Sequence, residues 1–191
     1  VRTLDVDFAE RDGSLVIGTD GGGLSLCLEG APGRCLTLSE ANGLPDDGVR
    51  ALAEDREGGL WIGTEGGLAR FQDESVRSYT VREGLPDDHV YSLEAEPDGS
   101  LWVGTVTGLG RLALGPHGEP RARVRTRAES DLEGRWIWAL HRDRRGRVWV
   151  GTDDGVCRIA ATGCVAIPPG RDLPADYVVT IAEDHQGALW L

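Results

Sequence analysis

A Gly-Thr pair recurs along this chain of 191 residues, at Gly18-Thr19, Gly63-Thr64, Gly104-Thr105 and Gly151-Thr152, with spacings of 45, 41 and 47 residues. Two positions before each glycine stands Val16, Trp61, Trp102 or Trp149, and Trp190 follows 41 residues after Trp149. A fixed period of this length marks stacked or ring-like units, each too small to bury its own apolar faces. It decides the fold class before any local propensity is consulted.

The text between the glycines is punctuated the same way each time. Val49, Val90, Ile137 and Val178 each lie twelve residues before their Trp and open short β-compatible runs such as VRALAED and VYSLEAE. Turns holding Gly58, Gly99, Gly146 and Gly187 follow, where a missing Cβ permits the positive φ of a tight hairpin. The Trp strand comes next, as LWIGT, LWVGT or VWVGT. A second Gly-bearing turn leads to LARF, LGRL or VCRI, and a variable run such as VRSYTV completes the unit. No helical period appears, so each unit reads as a four-stranded meander.

One Trp per unit at the same place predicts an anchor between sheets. Burying it removes roughly 150–250 Å² from water, worth several kcal/mol at about 25 cal/mol per Å². Four-stranded sheets packed radially are a β-propeller, and the period suits one. The expected fold is all-β: an open arc of about four and a half antiparallel blades cut from a larger ring, over residues 1–42, 43–83, 84–130, 131–171 and, incompletely, 172–191. An open arc exposes an apolar face at each end, to be covered by remaining blades or by another copy. The chain starts at Val1 and contains no Met, so it is expected to be a piece of a longer protein.

The phrase GLPDDHVYSLEAEPDGSLWVGT, followed by GLGRL, resembles the two-component regulator propeller repeat of bacterial signalling proteins. The likeness is close around Trp61 and Trp102, good around Trp149 and truncated around Trp190. It is weaker in the first unit, where Val16 replaces Trp and LDVDFAE replaces the usual inner strand. The resemblance implies a periplasmic ligand-sensing region of a hybrid sensor kinase or related protein, normally a seven-bladed ring, with the membrane span and the output kinase or cyclase outside this segment. On that reading the segment itself is not an enzyme and needs no cofactor. Two alternatives stand beside it. Virginiamycin B lyase has similar repeats and places a His and a Glu over its central channel with a metal, but no His and Glu fall on comparable rim positions here. A protein-docking propeller without a small ligand is the other.

Composition narrows the partners. The formal net charge is -12 and the pI near 4.7, so a phosphate backbone would be repelled and nucleic acid is not expected. No apolar run approaches the roughly 18 residues of a membrane helix, so no membrane contact is expected of this segment.

In a meander the turn after strand two and the connection into the next strand one lie on the same side, so the Gly-Thr-x-x-Gly turns and the GLPDD connections decorate one face. Aligned on the valine that opens each inner strand, the residue before it reads Gly48, His89, Trp136, Tyr177 and the residue after it Arg50, Tyr91, Trp138, Val179. Aromatic and ionisable groups that change from blade to blade at one rim suit a small polar or carbohydrate-like ligand, held by stacking and hydrogen bonding. The candidate ligand-binding set is accordingly His89, Tyr91, Trp136, Trp138, Tyr177 and Arg50. A competing structural reading has Trp136 and Trp138 filling a gap where DLEGR stands in place of GLPDD.

The pairs Asp46-Asp47 and Asp87-Asp88 invite a catalytic or calcium reading, but a motif present in successive blades cannot all be one active site. Capping of turns and strand entries is expected instead, and the same holds for Asp55, Asp143 and Asp184 before the inner Gly turn. GLGRLA, from Gly108 to Ala113, imitates a dinucleotide fingerprint without the helix it needs, so it is read as a strand start. His89, His117, His141 and His185 lack ligand spacing, and no metal site is expected. Cys27 and Cys35 lie eight apart and Cys157 and Cys164 seven apart, each pair on the third and fourth strands of one unit. Facing thiols on two separate hairpins are expected to join as disulfides in an oxidising compartment; free thiols in a cytosolic protein are the alternative.

Overall fold

The computed structural model describes residues 3–5, 15–27, 35–115, 120–123, 127–168 and 177–191. Each period of the sequence becomes one sheet. The first holds β1 (Thr3–Asp5), β2 (Leu15–Thr19), β3 (Leu24–Cys27) and β4 (Cys35–Leu38). The second holds β5 (Val49–Glu54), β6 (Leu60–Thr64), β7 (Gly67–Gln72) and β8 (Ser75–Tyr79). In the third are β9 (Val90–Ala95), β10 (Ser100–Thr105), β11 (Gly108–Leu114) and β12 (Pro120–Arg123). The fourth comprises β13 (Ile137–Arg142), β14 (Val148–Thr152), β15 (Gly155–Ala160) and β16 (Gly163–Ala166). A two-stranded sheet, β17 (Ala182–Glu183) with β18 (Leu189–Trp190), begins a fifth. Every sheet is an antiparallel meander of consecutive strands. The sheets are propeller blades in an arc, and among the described residues they do not close into a ring.

The core is divided into clusters, one in each seam between blades. Trp61 is fully buried against Leu85, Val90, Leu93, Leu101 and Val103 of the next blade. Trp102 meets Ile137, Val148 and Val150, and Trp149 meets Val178, Ile181 and Leu189. The valine or isoleucine at the start of the inner run in blades two to five makes a tight fit. Its side chain comes to 2.6–2.9 Å of where a Cβ on the preceding blade's Gly-Thr glycine would lie: Val49 at Gly18, Val90 at Gly63, Ile137 at Gly104, Val178 at Gly151. Glycine is required there because the neighbouring blade occupies the space of a side chain. The threonine closes the same turn, its Oγ1 donating to the carbonyl of Gly23, Gly67, Gly108 or Gly155 at 2.8–3.0 Å.

The expectation of a chain without helix needs correction at three short places. Glu40–Asn42 and Val81–Glu83 are 3-10 turns that end on Gly43 and Gly84 in the left-handed conformation. The five-residue helix α1 (Arg127–Asp131) enters the connection to the fourth blade. All are too short to leave a helical period in the sequence. Among the described residues, no helix is long and apolar enough to cross a membrane. Of LDVDFAE only Leu4 and Asp5 fall within the described residues.

Candidate functional site: the loop face of the inner strands

The inner strand of the second, third and fourth blades carries one residue too many for its partner. Val49 pairs with Thr64 and Ala51 with Gly63, which leaves Arg50 as a β-bulge. The same count leaves Tyr91 between Val90 and Ser92, and Trp138 between Ile137 and Ala139. A bulge breaks the alternation of a strand and re-aims the extra side chain. Arg50, Tyr91 and Trp138, the residues that vary between otherwise matching blades, are therefore the ones the backbone releases from sheet packing.

The structure brings three candidates together. Tyr91 stands edge-on to Trp138, with ring centroids 5.0 Å apart, and 6.1 Å from Trp136. Trp136 and Trp138 are tilted against each other at 4.9 Å. Trp136 remains 40% exposed. Trp138 Nε1 is sealed from solvent without a hydrogen-bond partner among the described residues. Ala128 and Leu132, from α1 and its end, are buried in the seam beside these rings.

Arg50 flanks the cluster and is held from two sides, its guanidinium 2.9 Å from Asp20 Oδ1 and 3.1 Å from Glu65 Oε1. Burial lowers its pKa, but Glu65, with Asp20 and Tyr91 beyond it, outweighs that and raises it. His89 turns onto its own connection, with Nδ1 2.9 Å from Asp87 Oδ1, and is exposed. Tyr177 is exposed at the rim.

The acidic pairs divide their labour as caps. The first aspartate accepts the N–H that enters the inner strand: Asp46 from Gly48 at 2.6 Å, Asp87 from His89 at 2.9 Å. The second reaches back to the 3-10 turn, Asp47 to Glu40 N and Asp88 to Val81 N, both at 2.7 Å. The aspartates of the inner turn do more than the sequence reading asked of them. Asp55, Asp143 and Asp184 accept two turn N–H groups and also the indole N–H six residues on, from Trp61, Trp149 and Trp190 at 3.0, 2.8 and 3.1 Å. Glu96 takes this place before Trp102. The sequence signal for this pairing is an acid six residues before each of Trp61, Trp102, Trp149 and Trp190. Burial alone would raise the Asp143 carboxyl, yet the Trp149 indole, the Arg147 backbone N–H and its guanidinium hold it down at about 2.

Both cysteine pairs are bonded. Cys27 and Cys35 face each other in register, and Cys157 joins Cys164 on the diagonal between β15 and β16. Among the described residues, no three His, Cys, Asp or Glu side chains gather as metal ligands. His117 lies outside the described residues.

The profile of the two component regulator propeller matches residues 43–66, 84–107 and 131–154, the segments that run from the connection to the Gly-Thr turn. No curated protein matches the chain in sequence. Among solved structures, an extracellular domain assigned to a hybrid two component system of B. thetaiotaomicron superposes with a TM-score of 0.75 at 22% identity, covering 96% of this chain and 26% of that one. Virginiamycin B lyase from Staphylococcus aureus superposes with 0.68 at 18% identity, over 99% of this chain and 66% of the lyase. PorZ of Porphyromonas gingivalis, a surface component of the type-IX secretion system, gives 0.68 at 20%, over 97% of this chain and 30% of PorZ. The chain thus spans about a quarter of the hybrid-system domain, and likeness at these identities speaks for the fold.

Proposed function

The chain carries three two-component regulator propeller repeats, and from that premise we propose that it is the extracytoplasmic ligand-sensing propeller of a bacterial signal-transduction protein. It binds a small polar or carbohydrate-like ligand on the loop face and passes a shift between blades to an output module. It is a binder and not a catalyst. The observation that carries this reading is the bulge: at the one inner-strand position that the backbone releases from packing, successive blades present Arg50, Tyr91 and Trp138. A scaffold kept only for stability has no use for a different polar or aromatic group at each such point. Two disulfides support an oxidising compartment, and the structural neighbours described as extracellular point the same way.

A screen of small polar molecules, mono- and oligosaccharides included, tests the reading against His89→Ala and Trp136→Ala variants. Saturable binding by the parent chain that Trp136→Ala weakens about tenfold is expected, with a smaller loss for His89→Ala, whose ring is tied to Asp87. Ligand binding unchanged in both variants would remove the loop face from the function.

A further inference from the structure

Resting on the loop face as the ligand site, we propose that the Tyr91, Trp136 and Trp138 cluster receives a small organic cation of the quaternary-ammonium kind. Two independent features of the molecule lead there.

The first is how this chain treats the tryptophans of β6, β10 and β14. Trp61, Trp102 and Trp149 each carry a guanidinium over the ring, from Arg70, Arg111 and Arg147 at 5.6, 5.0 and 5.2 Å from the ring centroid. A cation at this distance sits on the negative face of the indole. Trp136 and Trp138, like Trp190, have no such cation among the described residues, and Trp136 is 40% exposed.

The second is the charge around the cluster. Among the described residues of this rim, three basic groups are already matched or outnumbered by carboxylates. Arg50 lies between Asp20 and Glu65, Arg135 between Asp153 and Asp154, and His89 against Asp87. An anionic ligand finds these described basic groups already engaged, while a cation meets electron-rich rings and an excess of carboxylate. The formal charge of -12 adds long-range attraction of the same sign.

The test is calorimetric and fluorimetric titration of the whole chain with tetramethylammonium chloride and with choline. Tert-butanol serves as a neutral probe of similar size, and glucose and glucuronate as sugar probes. Saturable binding of both cations is expected, with a change in Trp emission, weakening at raised salt, and a loss of about tenfold in Trp136→Ala and in Tyr91→Ala. Trp136→Phe should retain part of the affinity, and circular dichroism identifies any variant that has lost its fold. Tert-butanol binding as well as choline, or choline binding equally to the parent and to a folded Trp136→Ala, overturns the proposal. A neutral sugar that binds and is lost in Trp136→Ala, with no cation bound, overturns the cation assignment and leaves the sensing reading standing. Choline, glucose and glucuronate all indifferent to both aromatic variants would overturn the two together.

Discussion

Val90 Cγ1 stands 2.7 Å from the point that a Cβ on Gly63 would occupy. The two residues belong to consecutive blades, and their fit recurs at Gly18 with Val49, Gly104 with Ile137, and Gly151 with Val178. A glycine in one blade and a β-branched residue in the next thus form one joint, and the arc is assembled by repeating it.

Gly63→Ala should therefore destabilise by about 1–3 kcal/mol through overpacking, since the atoms it meets are a branched side chain fixed in a seam. Urea denaturation measures this. Because Val90 supplies the clash, the Gly63→Ala, Val90→Ala double variant should lose less than the sum of the single losses. Additive losses would mean that the joint does not couple the blades.

Asp55 should matter more than its counterpart in the fifth blade. It is buried and accepts from the indole of Trp61, the guanidinium of Arg70 and two backbone N–H groups. Asp55→Ala strips a buried charged partner and should cost about 3–5 kcal/mol. Asp184→Ala, on an exposed turn beside the 66% exposed Trp190, should cost far less. The two denaturation midpoints make the comparison.

Glu94 predicts a pH dependence located in the seam between the third and fourth blades. Its Oε2 accepts from Arg142 N at 3.1 Å. Burial pushes its carboxyl up to about 7, with Glu96 adding to the rise and Arg142 opposing it. A carboxyl that holds its proton longer when folded contributes stability below the ordinary carboxylate range and loses it as pH rises towards 7. The contribution is on the order of 2–3 kcal/mol. Glu94→Gln should flatten the fall in stability between about pH 5 and 8 and should exceed the parent at the upper end. An unchanged profile would place the titration elsewhere.

Reduction of the two disulfides should lower stability by about 2–3 kcal/mol for each loop in the chain-entropy account. Thiol titration of unfolded, unreduced protein should find no reactive group, and four after reduction. Four groups before reduction would contradict the bonded pairs and withdraw the argument from compartment.

Much of this architecture was legible because a repeat is self-calibrating. Four copies of one phrase expose the strand boundaries, the Gly turns and the Trp positions without any estimate of propensity. The radial arrangement follows, since one Trp per unit needs a neighbour to cover it. The cysteine pairs could be read for the same reason, each lying on two adjacent strands of one unit. Helix α1 could not, because five residues carry no period, and the text there departs from the repeat that served as the ruler.

The candidate site divides along the same line. The list of variable residues on one rim belongs to the sequence, since alignment of repeats to one another suffices to find Arg50, Tyr91 and Trp138 at equivalent places. That these are bulges was decided by strand register, which depends on how two backbones pair and leaves no mark in the residue types. Tertiary packing also drew Trp136 and Trp138 against Tyr91 from the neighbouring blade and turned His89 onto Asp87 instead. Periodicity places residues on a face because it is a property of the chain alone. Which of them meet depends on the angle between blades, and that is set by the packing of a β-branched side chain on glycine across each seam.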